Sequence, residues 1–103
     1  MKNVFVVERE DNVGTAVGAP ISAGEEVGTD GRITDLSLVA RADIPYGHKL
    51  ALRDIAAGEQ VVKYGLSIGS ASTDIKAGDH VHVHNVESNR GRGDKYVQEE
   101  NNR

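Results

Sequence analysis

The chain has 103 residues, a net charge of −4 and no cysteine. This length suits one domain. The lack of thiols excludes disulfides, thiolate metal sites and cysteine nucleophiles, and the negative charge argues against a general attraction to nucleic-acid backbones. No apolar run reaches the length of a membrane span, and charged residues follow the start too soon for a secretory signal. We therefore predict a cytoplasmic protein that binds neither nucleic acid nor membrane.

Short β-rich segments between turn signals predict an all-β fold. The first predicted strand is residues 3–8, and the small residues and glycines of residues 11–19 predict a turn or loop. In residues 32–42 apolar and polar side chains alternate, which favours a strand over a short helix. Further strands are predicted, in chain order, at residues 49–52, 60–64 and 80–86.

One motif, Ile-x-Ala-Gly-acid-x-Val, occurs three times, beginning at Ile21, Ile55 and Ile75. We expect the isoleucine to anchor each copy in the core and the glycine to supply the positive φ of a turn. The acidic side chain then caps the turn, and the valine begins the next strand. The unequal spacing excludes a regular solenoid. The repeats instead predict three similar corners in a folded-over β unit.

The polar composition of residues 88–103 predicts a mobile C-terminal tail. The folded domain is accordingly predicted to cover residues 1–87.

Three histidines, His80, His82 and His84, occupy alternate positions of the last predicted strand. On a strand they share one face, while Val81 and Val83 take the other face, which we interpret as the core side. Neutral imidazole is a common metal ligand and also transfers protons near neutral pH. The row therefore indicates metal binding or proton transfer. The alternative is an ordinary solvated strand face.

Two further pairs carry candidate functional groups. His48 and Lys49 follow a Pro-Tyr-Gly bend, where a lysine charge and an imidazole can bind a carboxylate. The alternative is two polar residues that merely begin a strand. Lys63 and Tyr64 are adjacent at the end of a predicted strand, so they point to opposite faces, and one of them can bind a ligand while the other packs.

The runs DIPYGHKLAL (residues 43–52) and DIAAGEQVVKYG (residues 54–65), followed by HVHVHN (residues 80–85), are ordered and specific. They resemble the SAF domain of the altronate/galactarate dehydratase family. The resemblance implies a β-clip fold, a folded-over ribbon of short strands. The chain length resembles the family's split members, such as sulfolactate sulfo-lyase, in which a separate large subunit carries most of the active site.

The resemblance implies a lyase subunit that is inactive without its large partner. The reaction is a β-elimination from a hydroxy acid or a sulfo acid, assisted by a divalent metal, Fe²⁺, which the large subunit holds or shares. The implied roles are catalysis for His48, His82 and His84; substrate binding for Lys49, Lys63, Tyr64 and Asn85; and metal binding for His80 and His82.

Two other classes of function stay open at this point. SAF-like domains also occur as non-catalytic modules that bind carbohydrate or other proteins, and a structural or regulatory protein can use the same fold. The row of histidines favours the lyase subunit.

Overall fold

The protein's structure is a computed structural model that describes residues 2–88, with the backbone alone for Lys2. Within this range the regular elements are β-strands, which confirms the predicted all-β fold. The described part contains no helix suited to crossing a bilayer. The predicted tail lies outside the described residues from residue 89 onward. The strands are β1 (Lys2–Val6), β2 (Val13–Ala16), β3 (Glu26–Gly31), β4 (Ser37–Val39), β5 (Lys49–Ala51), β6 (Gln60–Lys63), β7 (Leu66–Ala71), β8 (His80–Val81) and β9 (Val86–Ser88).

The strands form two sheets, and the chain folds over between one sheet and the other. Six strands make one sheet in the order β4-β3-β1-β2-β5-β8, and three make the other in the order β6-β7-β9. Strands β1 and β3 run parallel, whereas the remaining neighbours are antiparallel. Short strands joined by tight turns in this way are the β-clip architecture that the family resemblance implies.

The three repeat motifs form corners, as predicted, and a fourth corner accompanies them. We number them in chain order: corner 1 (residues 21–27), corner 2 (residues 44–50), corner 3 (residues 55–61) and corner 4 (residues 75–81). The glycine of each corner has a φ between 84° and 92°. In corners 1, 3 and 4 the acidic side chain caps the turn. Corner 2 does not match the motif, because Tyr46, His48 and Leu50 stand where the other corners have alanine, an acid and valine.

Isoleucine pairs join the corners and centre the two hydrophobic cores. Ile21 of corner 1 bridges Ile44 of corner 2, and Ile55 of corner 3 bridges Ile75 of corner 4. All four side chains are fully buried. The first pair belongs to one core cluster and the second pair to the other. Each core is therefore built around two corners that face each other.

Two of the predicted elements differ from the structure. Residues 11–19 were expected to form a loop, but β2 lies within them. A Cβ on Gly14 would clash with the side chain of Val4 in the neighbouring strand, so this glycine allows two strands to pack closely. The strand expected over residues 32–42 is confined to β4, because Leu36 turns the chain back toward Thr29 through backbone and side-chain hydrogen bonds.

The strand predicted over residues 80–86 is also wrong, since β8 ends at Val81 and β9 begins at Val86. The Asn85 side chain causes the break. Its amide oxygen accepts the His82 N–H at 3.0 Å, and its amide nitrogen donates to the His80 carbonyl at 2.9 Å. A side chain that bonds the nearby backbone in this way stabilises a turn at the expense of a strand ladder.

Two buried polar residues, Asp11 and Asn12, tie the first sheet to the β6–β7 hairpin. The Asp11 carboxylate accepts the backbone N–H groups of Glu8, Tyr64 and Gly65 at 2.8–3.1 Å. Asn12 accepts the N–H of Val62 at 2.8 Å and donates to a β6 carbonyl at 2.9 Å. The carboxylate also stabilises the turn at Tyr64, whose φ of 59° is left-handed although the residue is not glycine.

We expect Asp11→Ala to destabilise the fold by about 2–3 kcal/mol, because it removes the charged acceptor of three backbone N–H groups. Urea unfolding followed by circular dichroism measures the loss. Asp35→Ala removes an exposed carboxylate and is the control, with an expected effect within about 0.5 kcal/mol. Equal midpoints for the two variants would refute the linking role of Asp11.

Candidate metal centre and adjoining groove

Strands β5 and β8 bring His48 to the histidines of the C-terminal segment. Leu50 pairs with His80 in an antiparallel register. Extending this register by two residues sets His48 opposite His82, and residues opposite each other in such a pair share one face. The His48 and His82 rings accordingly stack, with their centroids 4.2 Å apart. A contact between residues far apart in sequence thus follows from the pairing of two very short strands.

His80 completes a cluster of three rings, which we call the histidine trio: His48, His80 and His82. The ring centroid of His80 lies 5.1 Å from that of His48 and 5.5 Å from that of His82. His48 Nδ1 and His80 Nε2 are 2.9 Å apart, so one nitrogen donates a hydrogen bond to the other. One ring nitrogen from each member lies within 4.8 Å of the other two.

The donor set of the trio fits a divalent transition metal. Imidazole nitrogens are suitable ligands for zinc, iron, copper and nickel. Two nitrogens bound at about 2.1 Å to one ion lie roughly 3.0–3.4 Å apart. The three nitrogens already lie within 4.8 Å of one another, so modest ring rotations bring them to ligand distances. All three side chains are partly exposed, so an ion can enter from solvent.

The electrostatics of His80 and His82 favour neutral rings. Burial is the main cause that lowers the pKa of His80, and the neighbouring imidazoles of His48, His84 and His82 lower it further. Desolvation likewise lowers the pKa of His82, assisted by His48 and Lys49. A lowered pKa keeps an imidazole unprotonated at neutral pH, and the unprotonated form is the one that binds metals.

His84 lies at the edge of the cluster. It is exposed, and its ring centroid is 5.3 Å from that of His80 with the planes tilted by 37°. The predicted row of three histidines on one strand face is therefore replaced by a turn. Val83, expected in the core, is 82% exposed, because the turn closed by Asn85 interrupts the alternation after Val81. The histidines still come together, through the turn and the β5–β8 register.

An open groove of about 890 Å³ adjoins the trio at His82. Lys49 and Lys63 bring positive charge to a lining that is otherwise mainly apolar. Among the described residues no carboxylate side chain lines the groove, so this lining favours an anion. Its other lining residues are Phe5, Val7, Thr15, Val17, Gly47, Tyr64, Ile68, Val83, Val86 and Ser88.

Lys63 and Tyr64 form a paired group in this groove. The Lys63 ammonium lies 3.7 Å from the centroid of the Tyr64 ring, within the range of a cation–π interaction. Hydrogen bonding by Lys63 is the main cause that lowers the pKa of Tyr64, and the positive charge of the lysine, which favours the phenolate, lowers it further. Both side chains therefore reach the groove, although adjacent residues of a regular strand point to opposite faces. The left-handed turn at Tyr64 accounts for the difference.

The structure separates the predicted site residues into three groups. The trio unites His48, His80 and His82, with His84 beside it. The groove unites Lys49, Lys63 and Tyr64 with His82. Asn85 belongs to neither, since it is 5% exposed and both ends of its amide bond the backbone.

Sequence reasoning overlooked Thr15, which lines the groove. Its hydroxyl is buried and has no hydrogen-bond partner among the described residues. The register of β2 against β5 sets Thr15 opposite Lys49. Only that pairing marks the threonine as part of the site, because the sequence alone predicts a turn or loop for this segment.

Comparison with known proteins identifies the family. Residues 2–89 match the altronate/galactarate dehydratase SAF domain, and the chain belongs to this family. It is 48% identical over 86 residues to altronate dehydratase of Escherichia coli and 40% identical over 89 residues to that of Bacillus subtilis. It is 42% identical over 91 residues to the alpha subunit of (2R)-sulfolactate sulfo-lyase of Chromohalobacter salexigens.

The relatives differ in how much of their length the match covers. The matched segments are 84% and 86% of this chain but only 16% and 17% of the two altronate dehydratases. The match to the sulfo-lyase alpha subunit is 84% of this chain and 95% of that subunit. The SAF domain is thus one part of a much longer chain in some relatives and nearly the whole of a subunit in another.

We expect His48→Ala and His82→Ala each to weaken the binding of Co²⁺ by at least about tenfold, because each removes one nitrogen of the trio. Visible absorption of Co²⁺ during titration reports both affinity and coordination. His84→Ala is the matched control: it removes an imidazole from the same cluster but outside the trio, and we expect its affinity to stay within about twofold of the unaltered protein. An equal loss in all three variants would contradict the assignment of the trio.

Proposed function

We propose that the chain is the SAF part of a lyase that eliminates water or sulfite from a hydroxy acid or a sulfo acid. It contributes imidazole and lysine groups to an active site that a large catalytic subunit completes, and it is inactive without that subunit. The observation that carries the proposal is the histidine trio beside a cationic groove. We also propose that the complex works in the cytoplasm.

The relatives support this reaction class. Two of them are named altronate dehydratases and another is named as a subunit of a (2R)-sulfolactate sulfo-lyase. The first name describes loss of water and the second loss of sulfite, and in both a leaving group departs from a carboxylic acid. The name "subunit alpha" and the 95% coverage of that relative support a partner subunit for this chain.

The groove supplies a binding mode for the acid. Lys49 and Lys63 attract the carboxylate or sulfonate of the substrate, and Tyr64 offers a phenol as a hydrogen-bond partner. His82 belongs to both the groove and the trio, so a bound acid reaches the imidazole nitrogens at that residue. We do not retain Asn85 as a substrate ligand, because its amide is already bonded to the backbone.

The trio supplies the place for a divalent cation, which we propose to be Fe²⁺. His80 and His82 were expected as ligands, and His48 joins them on the strength of its ring nitrogen in the cluster. When bound, the cation supplies Lewis-acid stabilisation of the negative charge that develops on the substrate oxygens. Three nitrogens leave coordination positions open, and ligands from the large subunit can fill them.

His84 is the imidazole that remains for proton transfer. It lies beside the trio but is exposed, so it can turn toward the bound acid without leaving a metal ligand position vacant. We propose that it accepts the proton α to the carboxylate or returns a proton to the leaving group. We propose that His48 and His82 act chiefly as metal ligands. The catalytic role that the resemblance implies for all three histidines is then limited to His84.

The openness of the site supports the need for a partner. A groove of about 890 Å³ is far larger than a hydroxy acid of roughly ten to fourteen non-hydrogen atoms requires. Such an acid bound here stays in contact with bulk water, which weakens each electrostatic interaction that the lysines make. A second polypeptide that covers the groove would exclude this water.

A second candidate function is a non-catalytic module that binds a protein or a carbohydrate. The apolar lining of the groove and the exposed Leu66 and Val83 favour it. The two candidates differ in what the complex does. Co-expression with the large subunit, co-purification, and assays with hexarates, aldonates and sulfolactate in the presence of Fe²⁺ distinguish them. Full activity of the large subunit alone would reject the lyase-subunit proposal.

In the reconstituted enzyme we expect His84→Ala to lower kcat by roughly 10²-fold, the usual contribution of a positioned acid or base. Metal content, measured by plasma emission, should stay unchanged. His82→Ala should lower both kcat and metal content, because His82 is a trio member. A His84→Ala enzyme with full turnover would remove the proton-transfer role and leave the subunit assignment intact.

Replacing Lys49 or Lys63 by Met should raise KM for the acid by about tenfold or more, because each removes a charge from the groove. Lys76→Met is the matched control, since Lys76 is an exposed lysine of corner 4 outside the groove. We expect its KM to match that of the unaltered enzyme. Steady-state kinetics over a range of ionic strength measure the effect, which salt should diminish.

A further inference from the structure

All four corners share one backbone framework. In each, the residue after the glycine donates its N–H to the carbonyl three positions earlier, at 2.9–3.0 Å. The glycine N–H donates to a carbonyl of a neighbouring segment at 2.7–2.9 Å in every corner. The backbone of corner 2 is thus equivalent to that of the other corners. Differences between the corners lie in their side chains.

In corners 1, 3 and 4 the acidic residue caps its own turn. Its carboxylate accepts the N–H of the residue three positions earlier: Ser22 to Glu25, Ala56 to Glu59 and Lys76 to Asp79, at 2.8–2.9 Å. In corner 2 the residue at the acid position is His48, and the residue three positions earlier is Pro45. Proline has no N–H, so corner 2 offers no donor at the cap position.

A second carboxylate also stabilises corners 1, 3 and 4 but has no counterpart for corner 2. The aspartates before the isoleucines accept N–H groups from the facing corner: Ala23 to Asp43, Ala57 to Asp74 and Ala77 to Asp54, each at 2.9 Å. The residue equivalent to these aspartates for corner 2 is Pro20, which precedes Ile21. Its side chain has no acceptor. Corner 2 therefore lacks both carboxylate positions.

We propose that Pro45 is a positioning residue that keeps His48 available to the histidine trio by removing the N–H that would otherwise capture its ring at the cap position of corner 2. This role of Pro45 rests on the proposed function in one respect, namely that the histidine trio binds a metal for the lyase. It follows from the equivalence of the four corners and from the contact of His48 Nδ1 with His80 at 2.9 Å.

The physical reason is competition for one lone pair. A neutral imidazole has a single acceptor nitrogen, and the same lone pair binds either an N–H or a metal. In corners 1, 3 and 4 a carboxylate oxygen of the residue after the glycine lies within 2.9 Å of the backbone nitrogen three residues earlier. An N–H at position 45 would meet the His48 ring in the same geometry. Proline excludes this bond and also fixes its own φ near the value of a turn.

The first experiment compares Pro45→Ala with Pro20→Ala by Co²⁺ titration of the chain. Pro45→Ala restores the N–H at the cap position, and we expect the dissociation constant for Co²⁺ to rise about three- to tenfold, as one competing hydrogen bond implies. Pro20 and Pro45 are the only two prolines of the chain, so Pro20→Ala controls for the general effect of losing a proline. We expect its dissociation constant to stay within twofold.

The second experiment needs no metal. In Pro45→Ala the His48 ring should turn from His80 toward the new N–H, which weakens the NOE between the two rings, and the new amide at position 45 should exchange slowly with solvent. The double variant Pro45→Ala/His48→Glu rebuilds the cap of the other corners. Its Tm should exceed that of His48→Glu by roughly 4–8 °C, because a restored cap of this kind stabilises a small domain by that much.

The outcomes separate this proposal from the proposed function. A rapidly exchanging amide at position 45, an unchanged NOE between the rings of His48 and His80, and equal Tm values for His48→Glu with and without Pro45 would overturn the positioning role. Unaltered chain that fails to bind Co²⁺ would contradict the metal centre instead, while the NOE and Tm comparisons would still decide the role of Pro45.

Discussion

The pairing of four buried isoleucines across two bridges is the constraint on which the rest of the structure depends. Phe5, Tyr46 and Tyr64, the aromatic residues of the described part, are all exposed, so none of them fills the interior. The isoleucines instead meet in pairs at facing corners, and each pair centres one core. The two pairs are joined by the β5–β8 pairing, which links corner 2 to corner 4 and assembles the histidine trio.

Features encoded within a few residues were predictable from the sequence. The glycine of each repeat requires a positive φ, and the acid three residues after an N–H caps the turn, so corners 1, 3 and 4 follow from seven-residue patterns. Features that depend on contacts between residues far apart in the sequence could not be predicted in this way. The role of Gly14 is visible only once Val4 lies beside it. Thr15 became part of the site only through its register with Lys49.

The histidine row forms a cluster although the strand predicted for it is wrong. Strict alternation predicts a strand over residues 80–86, and a strand would hold successive same-face rings roughly 6.5–7 Å apart in a line. The Asn85 amide converts that strand into a turn. His80 and His82 then lie with centroids 5.5 Å apart, and His48 stacks on His82 from the neighbouring strand. A compact cluster results, which suits one ion better than a linear row.

Corners with the same backbone differ in their side chains: corners 1, 3 and 4 have carboxylate caps, and corner 2 has His48 of the trio. Three corners use two carboxylate contacts each, which secure the turn. Corner 2 retains the backbone bonds but has an imidazole in place of one carboxylate and a proline in place of the other. Two acids are therefore missing where the trio forms. A carboxylate beside the rings would favour protonated imidazoles, whereas burial and like neighbours lower the pKa of His80 and His82. The absence of both carboxylates from corner 2 thus agrees with the lowered pKa of His80 and His82 and with the cation that we propose for the trio.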